Sequence, residues 1–200
     1  MTGRPVVAAS SAELKRAQIV DAARDVLARE GIAACTARAV ADASPLTKSA
    51  IHYYFRDVDE IVDLAVAAHL QAMLDGLRTL AARHDDPEQR LRVVLEAYLQ
   101  TFAERPHAAF LWFEHWIATA RRGDTGPTRR MLDEVEALLG ELLGDLPGPG
   151  RSPRPLLSWL LGTVVAQHAR PVTAEERRAE VDDAVRRFTS EIGPTGYPRS

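Results

Sequence analysis

Apolar residues in this chain recur every three or four positions along nearly its whole length. Val62, Val66, His69, Met73, Leu77 and Leu80 make one such run. Leu91, Val94, Leu95, Tyr98, Leu99 and Phe102 make a second, and Leu132, Val135, Leu138, Leu139 and Leu142 a third. That spacing puts one apolar face on a helix of 3.6 residues per turn. Strands would need sustained alternation, Asn-Gly hairpin turns or runs of β-branched residues, and none is present. The period therefore predicts an all-α fold of about nine helices.

Helix ends are marked as clearly. Ser10 with Glu13, Asp57 with Glu60 and Thr173 with Glu176 have capping-box spacing. Gly31 and Gly123 suit helix closure, and Pro87 and Pro127 suit a first turn. The stretch 144–155, GDLPGPGRSPRP, holds four prolines and three glycines and is expected as a mobile surface loop. The domain reading is a loose arm at 1–9, a three-helix unit at 10–56, a helical bundle at 57–193 and a frayed tail at 194–200. No internal repeat is visible.

Two hundred residues can bury a substantial core. The single cysteine, Cys35, excludes an internal disulfide framework and any multi-cysteine zinc site. No run of about 18 apolar residues suggests a membrane helix, and the apolar run near the start is too short for a secretory signal. The cytoplasm is the default compartment, with no metal and no cofactor expected. Net charge is −3 overall, yet residues 1–56 carry eight Lys/Arg against five Asp/Glu and are net positive. A basic N-terminal part on an acidic remainder suits a nucleic-acid-reading head on a body that stays off DNA.

Residues 36–54, TARAVADASPLTKSAIHYY, carry the most specific chemistry. Thr36 can cap a short helix that buries Val40. Ser44-Pro45 breaks the pattern, and Thr47 can cap a second helix with Ala50 and Ile51 inward. Lys48, Ser49, His52 and Tyr53 are left outside. A helix, a tight turn and a second helix tipped with polar, cationic and aromatic groups have the geometry that enters a DNA major groove.

Over roughly 16–64 the chain resembles the tetracycline-repressor (TetR) family of bacterial regulators. The resemblance runs through Ile19-Val20, Ala22-Ala23, Val26-Leu27, Gly31, Cys35-Thr36, Val40-Ala41 and the run Thr47 to Phe55. Pro45 stands where the family commonly has a turn glycine, His52 replaces a usual tyrosine, and Val58 replaces a frequent phosphate-touching lysine. The resemblance implies double-stranded operator DNA as a partner. Thr36, Arg38, Thr47, Lys48, Ser49, His52 and Tyr53 are the candidate contacts and Phe55 a core residue. Each also has a plain reading as a cap or a solvated side chain. Phosphate contacts would orient the head, and base-edge contacts would choose the sequence.

The resemblance also implies a homodimer sealed by the last two helices, with Leu157, Leu160, Leu161, Val164, Val181, Val185 and Phe188 as candidate interface residues. The same residues could instead be intramolecular core. It further implies a small-molecule effector held by the body, with the fourth helix as the lever to the head. His69, Met73, Tyr98, Phe102, Trp112, Phe113 and Trp116 are the candidate lining. The sixth and seventh helices are similar in pattern to the branch that includes the choline-responsive repressor of betaine synthesis. Trp112 and Trp116 are four apart beside Glu114, and tryptophan faces with a carboxylate suit a cationic amine. Packing of both tryptophans in the core is the competing reading. Two other classes are weighed here, a helical interaction module without DNA binding and an enzyme, and the expectation is that the chain is not an enzyme. The sequence has no phosphate-binding glycine loop, nucleophile elbow or HExxH motif, and no catalytic residue is assigned.

Overall fold

The computed structural model describes residues 10–104, 106–147 and 151–190. The arm expected at 1–9 and the tail expected at 194–200 lie outside the described residues. Within them the chain forms nine α-helices and no strand: α1 Ser11–Glu30, α2 Ala37–Asp42, α3 Lys48–Tyr54, α4 Val58–Ala81, α5 Pro87–Glu104, α6 Pro106–Arg121, α7 Gly126–Gly144, α8 Arg154–Ala169 and α9 Ala174–Thr189. A short 3-10 turn, Ile32–Ala34, joins α1 to α2.

Most ends follow the local signals. Ser10–Glu13 and Thr173–Glu176 are complete capping boxes. Thr36 accepts the Ala39 N–H and Thr47 the Ala50 N–H. The Asp57–Glu60 pair is only half a box. Asp57 accepts the Glu60 N–H at 2.8 Å, but the Glu60 carboxylate turns to the Arg56 N–H and to Arg16. Gly31 has φ +80° and ψ 178°, an extended backbone at positive φ that a side chain would strain. It is not the left-handed helical conformation expected of a closing glycine.

The chain divides into two compact units. The first takes residues up to His69 together with Leu111–Arg122; the second takes Leu70–Phe110 and the chain from Gly123 onward. The divisions fall inside α4 and α6. An ion-pair cluster in the first unit ties α4 to α6. Asp63 accepts from Arg122 at 2.9 Å and lies 2.8 Å from His115 Nε2, while Arg122 also pairs with Asp59 at 3.2 Å.

In the first unit α1, α2 and α3 pack on one another around Ile19, Ala23, Val26, Val40, Ile51 and Phe55. In the second, α5 packs against α7, α8 and α9. Leu91, Val94, Leu95, Tyr98 and Leu99 of α5 are all buried, whereas Phe102 is half-buried. The buried face of α4 runs through Ile61, Ala65, Leu70, Leu74, Leu77 and Ala81, with Val62 and Val66 beside it. His69, Met73 and Leu80 are half-buried, so the stripe read from the sequence lies to one side of the true centre.

The proline-rich stretch is shorter than expected and is held at both ends. α7 runs to Gly144, Asp145 pairs with Arg90 at 2.9 Å, and Leu146 is buried. Arg151 donates to the carbonyls of Pro147 and Thr189. Residues 148–150 lie outside the described residues.

Candidate nucleic-acid interface and effector site

The turn between α2 and α3 accommodates Pro45 without a positive φ. Ser44 Oγ donates to the Ala41 carbonyl and accepts the Leu46 N–H at 3.2 Å, which supplies the bonding a turn needs. Among the described residues only Gly31 and Gly123 have positive φ. α3 then leaves with Ile51 and Phe55 sunk into the head core.

That anchoring decides what α3 shows to solvent. Thr47, Lys48, Ser49, His52 and Tyr53 are exposed, Tyr53 at 82%. Tyr53 meets Tyr54 edge to face at 5.0 Å, so the aromatic tip is braced rather than loose. On α2, Thr36 is exposed while its hydroxyl caps the helix, and Arg38 is exposed in a long contact (3.9 Å) with Asp42. A surface pair of that length adds little stability, leaving Arg38 available to an anion. Each of the seven candidate positions is thus solvent-facing.

Sequence reasoning missed Arg16. From α1 its guanidinium donates to the Tyr54 carbonyl and to Glu60 (2.7 Å), and it stacks on the Phe55 ring at 4.0 Å. It joins α1, the end of α3 and the start of α4. The Arg16 hydrogen bond is the main reason the Glu60 carboxyl is held below the usual carboxylate range; partial burial opposes it, and the Arg56 N–H adds to it. A single arginine ahead of an apolar stripe gives no sequence signal for such a role.

The candidate effector residues are split. His69, Trp112, Phe113 and Trp116 belong to the first unit; Met73, Tyr98 and Phe102 belong to the second. The inward face of α6 is Leu111, His115 and Thr119, one residue away from the expected Trp112–Trp116 face. Trp112 and Phe113 are half-buried and Trp116 is 50% exposed. Residues 111, 115 and 119 also lie four apart, so helical spacing alone permits either face. His115 is 1% exposed, and its Nδ1 has no hydrogen-bond partner. Burial would raise the Asp63 carboxyl, but the hydrogen bonds from His115 and Arg122 outweigh it and hold Asp63 below its ordinary value.

The second unit contains a cavity of about 270 Å³ between α5, α8 and α9. Leu99, Phe102, Ala103, Val164, Pro171 and Val172 give it apolar walls, with Gln167, His168 and Arg177 as the polar lining. Of the seven candidate effector residues, Phe102 alone lines it. Phe102 meets Tyr98 edge-on at 4.8 Å.

Most of the candidate subunit-seam residues are packed within the single chain. Leu157, Leu160, Val164, Val181 and Val185 are each at most 6% exposed within this one chain. The apolar stripe of α5 has to be covered, and α8 and α9 cover it. Leu161 and Phe188 are half-buried, and Val165 is 50% exposed. No described helix is long and apolar enough to cross a membrane.

Residues 19–65 match the model of a family described as bacterial regulatory proteins, tetR family. Over that segment the chain is similar to the TetR family. A BetI HTH-type transcriptional regulator of Burkholderia thailandensis is 27% identical over 128 residues, 62% of each chain. One from Paraburkholderia phytofirmans is 24% identical over 60% of each. The match thus spans about three-fifths of the length of these curated relatives. Among solved structures, the fatty acid degradation regulator FadR from Bacillus halodurans superposes with a TM-score of 0.60 at 18% identity, covering 92% of this chain and 97% of that one. At that identity the likeness shows a shared all-helical fold.

Proposed function

We propose that this chain is a ligand-responsive transcriptional regulator of the TetR type. It acts as a repressor, binds a palindromic operator as a homodimer in the cytoplasm, and is released by a small molecule. Residues 10–56 read the DNA, and 57–193 sense the effector and dimerise. One observation carries the reading: Ile51 and Phe55 are buried in the head, so Lys48, Ser49, His52 and Tyr53 stand together on the open side of α3.

The roles divide by chemistry. Lys48 is a point charge for phosphate, helped by Thr36, Arg38 and Thr47 at the two helix starts. Ser49 is small enough to let α3 approach the bases. His52 and Tyr53 reach into the groove, with the Tyr53 ring available to a thymine methyl or to the backbone. Two heads on a symmetric dimer would meet successive major grooves roughly 34–36 Å apart. With the buried residues of α8 and α9 committed to their own subunit, Trp159, Leu161, Val165 and Phe188 are among the apolar side chains left for a partner. An effector releases DNA only if it binds the DNA-incompetent form better.

The test is a gel shift of the purified chain on the DNA upstream of its own gene, with sedimentation to read the oligomer. A retarded band, lost in Lys48→Ala combined with Tyr53→Ala while the circular dichroism spectrum is unchanged, is the expected result. A folded chain that stays monomeric and retards no promoter fragment would refute the reading.

A further inference from the structure

The cavity between α5, α8 and α9 contains an anomaly. Arg177 Nε is buried and has no hydrogen-bond partner, and among the described residues the Arg177 guanidinium makes no ion pair. A buried guanidinium N–H without an acceptor costs free energy, and such a group marks a place where an acceptor is expected. The neighbouring polar groups do not supply one. Gln167 is committed to Glu180 at 2.7 Å. The Glu176 carboxylate is held at the α9 cap by the Thr173 N–H and hydroxyl. The His168 ring is stacked edge-on against Phe110 at 4.5 Å.

The rest of the lining is hydrocarbon. Leu99, Phe102 and Val164 form the inner wall, and Pro171 and Val172 the rim. A ligand satisfying both halves has an anionic head with two acceptor oxygens and an apolar body. Arginine's planar fork matches a carboxylate in two-point fashion. At about 270 Å³ the cavity is near the lower limit of small-molecule pockets, roughly 300 Å³. That size suits a medium-chain or single-ring acid rather than a bulky conjugate.

We infer that the α5–α8–α9 cavity binds a small apolar monocarboxylate, with Arg177 holding the carboxylate. This identifies the chemical class of the effector and rests on the regulator reading above, though the binding itself does not require DNA.

Calorimetric titration of the full-length chain with octanoate, octanol and octylammonium, in the absence of DNA, tests it. Octanoate should bind about tenfold or more tighter than octanol, the difference a charge-assisted hydrogen bond makes, and octylammonium should bind weakest. Arg177→Gln should remove the preference for octanoate over octanol and leave octanol binding in place. Ala103→Trp, which fills the cavity from its rim, should weaken both. Equal affinity for octanoate and octanol, or octanoate binding undiminished in Arg177→Gln, overturns the inference. So does failure of the folded chain to take up octanoate at millimolar concentration, as when a second subunit covers the cavity. A chain that binds octanoate but retards no DNA would leave this site standing and sink the regulator reading instead.

Discussion

The Arg16 guanidinium lies 4.0 Å above the ring of Phe55 while its nitrogens hold the Tyr54 carbonyl and the Glu60 carboxylate. One side chain thus fixes the end of α3 against α1 and the start of α4. Arg16→Ala should cost about 1–2 kcal/mol, a figure kept small because the side chain is 38% exposed. Arg16→Lys should recover less than half of that, since an ammonium cannot stack and fork at once. Urea unfolding curves of the three chains check both statements, and a full rescue by lysine would argue that charge alone matters.

Gly31 sits at φ +80° and ψ 178°, a region almost closed to residues with a Cβ. The strain is a backbone effect, since the nearest atom to an added Cβ is Glu114 Oε2 at 4.0 Å. Gly31→Ala should lower stability by about 1–3 kcal/mol, read as a lower urea midpoint at unchanged slope.

The Asp63 carboxyl titrates below its ordinary value of 3.8 because His115 and Arg122 stabilise the anion against partial burial. A depressed folded-state value gives stability that is fully present above the unfolded value and is lost as pH falls through the folded one. Asp63→Asn should therefore be less stable than the parent chain at pH 7. That gap should narrow as the pH drops below about 4. Stability measured at several pH values between 7 and 3 tests it; a gap that widens in acid would contradict the assignment.

Cys35 is 5% exposed, and burial pushes its thiol up to about 11. At pH 8 only about one thiol in a thousand is then thiolate, the reactive form. Ellman's reagent should label the native chain slowly and the urea-unfolded chain within the mixing time. Rapid native labelling would mean that the head opens far more readily than its packing suggests.

Lys48 is exposed and has no acidic partner among the described residues, whereas Arg38 is shared with Asp42. Lys48→Ala should lower the salt slope of operator affinity by about one phosphate contact per head. Arg38→Ala should lower it less. Binding titrations at several salt concentrations separate the two.

Local patterns determined much of this protein. Helical periodicity, the cap residues Ser10, Thr36, Thr47 and Thr173, and the first-turn prolines set the helix order and most ends, because each depends on neighbours within one or two turns. The outward set on α3 was legible for the same reason, since Ile51 and Phe55 on one side leave Lys48, His52 and Tyr53 on the other. Only the tertiary structure decided the rest. Which of two adjacent faces of α6 turns inward, 111–115–119 or 112–116, depends on Asp63, which lies 52 residues from His115. Whether Leu160 and Val185 seal a second subunit or their own core depends on α5 needing cover. The unpartnered Arg177 could not be foreseen either, because a missing partner is a property of every element around a side chain and of none of its sequence neighbours.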